Sequence, residues 1–371
     1  MKQLYLPFIS IVFLANGLRA QVNHAISGLQ TVSGISQAQL DTVAQYAKVF
    51  PNGTQLAIAL AQNDQVAFLG LIRENDTLRS IVNHQSVFEI GSITKVFTST
   101  LLVQCAREGL VQLDAPVQDY FDFPLKPAEK DGVPFTLKTL ANHSSGLPRL
   151  SPDMLTMALS NIENPYKNYG PAELRKELAE KITLYAKPGE KYQYSNLGAG
   201  LLGFILAQQS GKTYPQLLEE GIFGPYQMTR SCADRADLKS AAVPGLNAGG
   251  DTTSCWDFDA LKGAGAILST AEDMSKFMQA NFREDSLLAF QRQKTFSVSE
   301  TMDVALGWHI LKPKGGGIYH WHDGGTGGFS SNMVMDVERK NGVIVLSNVS
   351  AFHPKTSNVE QICFRLMKML E

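Results

Sequence analysis

The sequence predicts an α/β fold in which strands from both ends of the chain build one mixed sheet and a mostly helical lobe lies between them. Three observations predict this arrangement. Strand-like apolar runs occur near both ends of the chain, helical patterns flank them, and prolines divide the middle into short pieces. The simplest packing places the terminal helices on the sheet and leaves a cleft beside the second lobe, which is a natural place for a site.

Composition limits the classes of function. The 371 residues carry a net charge of -2, and 44% of them are hydrophobic, which is ordinary for a globular protein. Because the sequence has no basic face or stripe, a nucleic-acid partner is not expected. The expected partner is a small-molecule or peptide substrate, and the oligomeric state stays open.

The N-terminal segment has the layout of a secretory signal peptide. Lys2 precedes a short apolar run over residues 4–14, and small and polar residues then lead to Ala20. We expect cleavage near Ala20, so that residues 1–20 are the signal peptide and the mature protein is exported, either periplasmic or secreted. The apolar run is too short to cross a bilayer, and no second segment is long and apolar enough to do so.

The first elements of the mature chain are a helix and a hairpin. Ser36 and Gln39 have the spacing of a capping box, and apolar residues follow at helical spacing as far as Ala47. Strand-like runs over residues 55–61 and 65–72 are separated by a turn signal, which predicts a hairpin.

The remaining predicted elements lie on either side of the middle segment that prolines divide into short pieces. A short apolar segment over residues 87–90 leads to Gly91 and to a helix that ends near Gly109. Three further strands are expected over residues 317–322, 331–337 and 342–347, and a last helix carries Val359, Ile362, Leu366 and Leu370 on one face. These patterns define a discontinuous sheet domain, residues 30–115 and 255–371, and a mostly helical lobe, residues 116–254.

Four cysteines are compatible with export. Cys232 and Cys255 both lie in loop-like sequence and are candidates for a disulfide. Cys105 and Cys363 lie on the apolar faces of predicted helices and are expected to be buried thiols. No cysteine or histidine spacing indicates zinc.

The strongest chemical signal is the segment from Phe88 to Lys95. Ser92 is predicted at the start of a helix, where free N–H groups and the macrodipole favour a developing negative charge. Lys95 follows three residues later, so the two side chains share one helix face. A lysine takes the proton of a serine only when it is neutral, so its pKa has to be lowered by burial or by neighbouring cations. Taken alone, Ser-x-x-Lys also arises by chance, with the serine as an N-cap.

Two further motifs carry groups suited to the same chemistry. The Tyr194 phenol can relay a proton, and the Asn196 amide both donates and accepts hydrogen bonds. At the end of a predicted strand, His322 precedes Gly324 and Gly325, where a substrate can approach the strand edge and where N–H groups can supply an oxyanion hole. The alternatives for these glycines are a hairpin turn or a phosphate loop, although no P-loop frame is present.

The histidines offer weaker signals. His320 and His322 share one strand face, so a metal site is an alternative, but no third ligand stands at a recognisable spacing. His143 is interpreted as a turn residue rather than a catalytic one. Asp323 is expected to point to the strand face opposite His322.

Together these motifs resemble the three signatures of the serine penicillin-recognising family, Ser-x-x-Lys, Tyr-x-Asn and a Lys/His-x-Gly strand. Four more phrases resemble its class C β-lactamase branch, at residues 143–148, 263–265, 306–308 and 325–329. Class C enzymes usually carry Ser-x-Ser-Lys and Lys-Thr-Gly. This chain has Thr94 before Lys95 and His322-Asp323-Gly324 on the strand, which is closer to the D-Ala-D-Ala carboxypeptidases and D-aminopeptidases.

The resemblance implies a β-lactamase/transpeptidase-like fold, with an antiparallel sheet flanked by helices and a mostly helical lobe. It implies that Ser92 forms an acyl-enzyme while Lys95 and Tyr194 manage the proton, and that no metal or organic cofactor is needed. The expected substrates are β-lactam rings or D-Ala-type peptide amides. A carboxylesterase with the same machinery and a slow-deacylating penicillin-binding receptor are the alternatives.

The resemblance also implies substrate contacts. The N–H groups of Ser92 and Gly325 would form the oxyanion hole, beside Gly324 on the same strand. Asn196 would hold the acyl amide, and His322 would help to bind a substrate carboxylate. If the imidazole acts as a cation, affinity for anionic substrates should weaken from about pH 6 to pH 8, since the usual pKa of histidine is near 6.5.

Overall fold

The computed structural model describes residue 29 and residues 33–371. The predicted signal peptide, residues 1–20, therefore lies outside the described part of the chain. The described strands, in chain order, are β1 Gln55–Gln62, β2 Gln65–Glu74, β3 Thr77–Ile81, β4 Phe88–Glu89, β5 Glu129–Lys130, β6 Val133–Pro134, β7 Gly245–Leu246, β8 Thr252–Thr253, β9 Leu268–Ser269, β10 Phe296–Ser297, β11 Met302–Val304, β12 His309–Leu311, β13 Tyr319–Gly325, β14 Ser330–Asp336 and β15 Asn341–Ser347. The described α-helices are α1 Gln37–Ala47, α2 Thr94–Arg107, α3 Leu137–Ala141, α4 Pro152–Ser160, α5 Pro171–Glu180, α6 Asn196–Ser210, α7 Tyr214–Leu218, α8 Ala271–Asn281, α9 Ser286–Gln291 and α10 Ser357–Lys368.

One nine-stranded sheet organises the fold. Its strand order is β10-β11-β12-β13-β14-β15-β1-β2-β3, so the N-terminal hairpin adds directly to the last C-terminal strand. Every pairing in this sheet is antiparallel. The expectation of a mixed sheet from the residue patterns is therefore wrong, because consecutive strands are joined by short turns rather than by crossover helices.

The predicted N-terminal helix and the hairpin that follows it are both present. The Ser36 side chain accepts from the Gln39 backbone N–H, and the Gln39 side chain accepts from the Ser36 N–H, which completes the capping box of α1. The predicted hairpin forms, with Gln62 of β1 opposite Gln65 of β2. The strand predicted over residues 317–322 is instead Tyr319–Gly325, and it continues to Gly325 because Gly324 and Gly325 remain paired with β14.

The two faces of the sheet are buried by different layers. On β1, Leu56, Ile58 and Leu60 pack with the terminal helices α1 and α10. The alternate residues Ala57, Ala59 and Ala61 join the larger core with α2, α6 and α8. This period-two alternation places large side chains beneath the terminal helices and small ones against helix α8.

Two further features differ from the expectations. The strands β10, β11 and β12 were not predicted, since each has only two or three residues and exists by pairing with its neighbours. Cys232 and Cys255 are free buried thiols, so their candidate disulfide is not formed. Cys232 is instead held in a backbone bridge to Leu268.

Cys105 and Cys363 are buried thiols, as expected. No helix in the part of the chain described here is long and apolar enough to span a bilayer.

Candidate active site

Ser92 lies where β4 turns into α2. A single 3-10 turn, Gly91–Ile93, precedes the α-helix and leaves Ser92 partly exposed between buried neighbours. Gly91 adopts φ +49°, and a Cβ there would lie 2.5 Å from the backbone nitrogen of Gly325. Only glycine allows this approach, which brings the turn that carries Ser92 against the end of β13.

Lys95 is directed at the serine from within the protein. Its Nζ lies 2.8 Å from Ser92 Oγ and donates to the carbonyl of Ala264 at 2.7 Å. Only 2% of Lys95 is exposed. Burial lowers its pKa well below the usual range, the positive charge of Arg149 lowers it further, and the Asp323 carboxylate opposes both effects. The environment therefore favours the neutral amine that a serine nucleophile requires.

Tyr194 completes a hydrogen-bonded cluster with Ser92. Its phenol makes a side-chain hydrogen bond to Ser92, and its ring lies 4.9 Å from Lys95 Nζ. Burial raises the pKa of the Tyr194 phenol, although the bond to Ser92 opposes this shift. Tyr194 is therefore a neutral phenol that can pass a proton between neighbours, rather than a stored phenolate.

Long-range hydrogen bonds place the Tyr194 segment. Ser195 Oγ donates to the carbonyl of Pro148 at 2.6 Å, and the Asn196 N–H donates to the carbonyl of Arg149 at 3.0 Å. His143 belongs to this scaffold, since it adopts φ +59° and its Nδ1 accepts from the Ser195 N–H at 3.2 Å. Its ring also packs 4.4 Å from that of Tyr194. His143 thus holds a turn and supports Tyr194 without contacting Ser92.

Asn196 lies on the wall of the same cavity. Its Nδ2 donates to the Tyr166 hydroxyl at 2.9 Å. Its buried Oδ1 is an acceptor that makes no hydrogen bond within the described residues. Tyr166 was missed by sequence reasoning, because nothing in its local pattern separates it from a core tyrosine.

His322 does not line the cavity. Its side chain is 1% exposed, and its ring lies 5.2 Å from His309 and 6.3 Å from Tyr194. Burial lowers the pKa of His322 well below its usual range, and the neighbouring basic groups His309 and Lys95 act in the same direction, since charging His322 beside either of them in its protonated form is unfavourable. A neutral buried ring does not favour the cationic contact with a substrate carboxylate, and the role of His322 in binding that group stays a prediction.

Gly324, like His322, does not line the cavity. A Cβ at Gly324 would lie 2.0 Å from the Ile90 carbonyl oxygen, so this glycine permits β13 to pass the Ser92 turn. Gly325, the next residue, does line the cavity. The strand alternation thus turns Trp321, Asp323 and Gly325 towards the cavity and buries His322 and Gly324, in agreement with the predicted opposite faces of Asp323 and His322.

Two exposed charges face the cavity beside Ser92. Arg149 and Asp323 both line it, and the Arg149 guanidinium lies 5.0 Å from the ring centre of Tyr194. Sequence reasoning did not select Arg149, and it placed Asp323 on the strand face away from His322 without giving it a role. Their positions follow from the turn at residues 143–149 and from strand alternation, respectively.

Glu89 joins the two segments that meet at the cavity. It is 3% exposed, and its carboxylate accepts from Thr326 Oγ1 and from the Trp256 N–H, each at 2.6 Å. Burial raises the pKa of Glu89 to about 7, while both hydrogen bonds oppose the shift. Glu89 thereby connects Thr326, which follows β13, to β4, which precedes Ser92.

The cavity has a volume of about 680 Å³, a size suited to a small organic ligand. Ser92, Tyr194 and Asn196 lie on one part of its wall, and apolar side chains supply most of the rest. Among the described residues, no group of three or more histidine, cysteine or carboxylate side chains is arranged to hold a metal ion.

An antiparallel sheet between helical layers, with the Ser-Lys-Tyr cluster where α2 meets β13, defines a β-lactamase/transpeptidase-like fold. The β-lactamase family model matches residues 47–360, and the chain belongs to the β-lactamase family, whose members include serine hydrolases. The chain is 30% identical over 329 residues to the D-alanyl-D-alanine-carboxypeptidase/endopeptidase AmpH of Escherichia coli (strain K12), which covers 83% of this chain and 82% of that protein.

Solved structures agree with this assignment. A β-lactamase/D-alanine carboxypeptidase from Yersinia pestis, in complex with citrate, is 25% identical, with a TM-score of 0.73 over 91% of this chain and 100% of that one. A β-lactamase/D-alanine carboxypeptidase from Pseudomonas syringae shares the fold, with 18% identity and a TM-score of 0.72 over 90% of this chain and 99% of that one. The predicted family and fold are therefore confirmed.

Proposed function

We propose that this chain is an exported serine hydrolase that works through an acyl-enzyme on Ser92. One observation carries the proposal. The buried Lys95 amine, whose pKa is lowered, lies 2.8 Å from Ser92 Oγ. A neutral amine at that distance can accept the serine proton as Oγ attacks a carbonyl carbon.

The neighbouring groups support both halves of such a reaction. Tyr194, bonded to Ser92, can pass the proton on to the departing group, and water then attacks the ester formed on Ser92. The backbone N–H groups of Ser92 and Gly325 are candidates for the oxyanion hole, because the Gly91 turn brings their segments together. The unsatisfied Asn196 Oδ1 is a candidate acceptor for an acyl amide N–H.

We propose β-lactam rings and D-Ala-type peptide amides as substrates, by analogy with the names of the Escherichia coli and Yersinia pestis relatives. One observation favours a second candidate, a carboxylesterase. Both proposed substrates carry a free carboxylate, and the exposed Asp323 carboxylate on the cavity wall would repel it, although Arg149 would attract it. A neutral ester avoids this repulsion.

A side-by-side assay tests the proposal and separates the candidates. Turnover of a chromogenic cephalosporin, a D-Ala-D-Ala peptide and a short-chain nitrophenyl ester is measured on wild type and Ser92→Ala. We expect turnover of at least one substrate that Ser92→Ala abolishes. Stable labelling by a penicillin without turnover of any substrate would instead identify a slow-deacylating receptor, and turnover that survives Ser92→Ala would overturn the mechanism.

A further inference from the structure

Helix α4 exposes an apolar face to the cavity. Leu155, Ala158, Leu159 and Ile162 follow the i, i+3, i+4, i+7 spacing of one helix face, with Ile162 just beyond the helix end, and all four line the cavity that contains Ser92. The exposed fractions of Leu155, Leu159 and Ile162 are 50%, 70% and 71%. Single exposed apolar residues are common on proteins, but a continuous row of them beside a nucleophile indicates a ligand surface.

The core does not account for this face. Met154 is the only buried residue of α4, although the helix also contains Leu155, Met157, Ala158 and Leu159. Hydrogen bonds nevertheless stabilise the first turn of α4. Ser151 caps the helix, and the buried Glu177 carboxylate accepts from the Asp153 N–H at 2.9 Å. Helix α4 is therefore anchored to the core on one side, while Leu155, Leu159 and Ile162 remain largely exposed on the side that faces the cavity.

Aromatic rings line the same cavity beside Asn196. Asn196, which donates to the Tyr166 hydroxyl, is the candidate holder of the acyl amide. The Tyr166 ring stacks on Phe258 with ring centres 4.5 Å apart and lies 5.5 Å from Trp256. The apolar face of α4, these three rings and Asn196 all line the one cavity that contains Ser92.

We infer that the apolar face of α4 binds a long aliphatic or otherwise apolar acyl group, so that the chain selects substrates by the length of that group. This inference rests on the proposed acyl transfer at Ser92. Each methylene moved from water into full contact with such a wall is expected to favour the complex about fourfold. An acyl chain four methylenes longer should therefore react much faster, even if its contact is only partial.

The first test compares nitrophenyl butyrate with nitrophenyl octanoate. In wild type, kcat/KM should be at least about 20-fold higher for the octanoate. In Leu155→Gln/Leu159→Gln this ratio should fall below about five, because both exposed apolar contacts are replaced. Thr156→Gln is the matched control, since Thr156 is exposed on the same helix but does not line the cavity, and it should keep the wild-type ratio.

A second measurement does not depend on turnover. The Kd of straight-chain N-acyl methylamides with four and eight carbons is measured by calorimetry on Ser92→Ala and on Ser92→Ala/Leu159→Gln. We expect tighter binding of the longer chain, and a smaller difference between the two chains in the double variant. Equal Kd values for both lengths would overturn the inference and would instead fit a protein or membrane surface covering α4. The proposed function fails separately, if Ser92→Ala leaves ester turnover and acyl-adduct formation unchanged.

Discussion

The two sides of the cavity are built from opposite kinds of surroundings. Behind Ser92, the side chains of Lys95 and His322 are almost completely buried and that of Tyr194 is partly buried, and burial is the largest cause of each pKa shift. In front of it, Arg149, Asp323 and the apolar residues of α4 are exposed. The buried side sets the protonation states of Lys95, Tyr194 and His322, because burial shifts their pKa values and salt screens buried groups weakly. Substitutions on the exposed side can therefore change substrate preference without changing those protonation states.

The largest effect should follow from removing the nucleophile. Ser92→Ala should lower turnover of any accepted substrate by at least about 10⁴-fold, because it removes the hydroxyl that is bonded to the Lys95 amine. Intact-protein mass spectrometry after brief exposure to a penicillin should show one adduct in wild type and none in the variant. Ser299→Ala, at an exposed serine, is the control. An adduct that persists in Ser92→Ala would contradict the assignment.

Removing either proton-handling group should have the next largest effect. Lys95→Ala and Tyr194→Phe should each slow acylation by at least about 100-fold, the usual scale for a positioned proton transfer. Both groups contact Ser92, so the double variant should lose less than the product of the two single losses. Single-turnover kinetics measures this directly, and fully multiplicative losses would show that the two residues act independently.

The buried histidines predict a pH-dependent stability. Burial lowers the pKa of His143, His309 and His322, so each stays neutral in the folded chain while it charges near pH 6.5 when unfolded. The unfolded state then binds more protons below about pH 6.5, and each histidine should destabilise the fold by about 1.4 kcal/mol per pH unit down to its folded pKa. Glu89, whose pKa is raised to about 7, acts in the opposite direction between pH 7 and its ordinary value.

Urea unfolding at pH 7 and pH 5.5 tests this behaviour. His322→Gln should lose about 1 kcal/mol less than wild type on acidification, since one proton uptake is removed. Because the His322 ring stays neutral, the ratio of kcat/KM for the cephalosporin to kcat/KM for the ester should not change with His322 ionisation between pH 6 and pH 8. A change in that ratio that disappears in His322→Gln would support the cationic role for this histidine.

The smallest effects should arise from the exposed charges on the cavity wall. Asp323 raises the pKa of Lys95 and Arg149 lowers it. If the acid limb of kcat/KM reports deprotonation of Lys95, Asp323→Asn should move that limb to lower pH and Arg149→Gln should move it to higher pH. Because both groups are exposed, we expect shifts of a few tenths of a unit that shrink in high salt. If the acid limb moved in the same direction in both variants, or if salt did not affect its shifts, Asp323 and Arg149 would not be acting as exposed charges on Lys95.

The amino-acid sequence by itself determined the elements that depend on local physics. Ser92 and Lys95 meet because three residues along a helix bring side chains to one face, and the hairpin β1-β2 and the cap of α1 follow from short patterns. Strand alternation was also enough to place His322 and Asp323 on opposite faces.

Only the tertiary structure decided which of those two faces meets the cavity. That choice depends on β13 passing the Ser92 turn at Gly324 and Gly325, a contact between segments more than 200 residues apart in sequence. The same holds for Arg149, for Glu89 and for the exposed face of α4, whose surroundings come from distant parts of the chain. Burial and the resulting pKa shifts are properties of those surroundings, so no local pattern contains them.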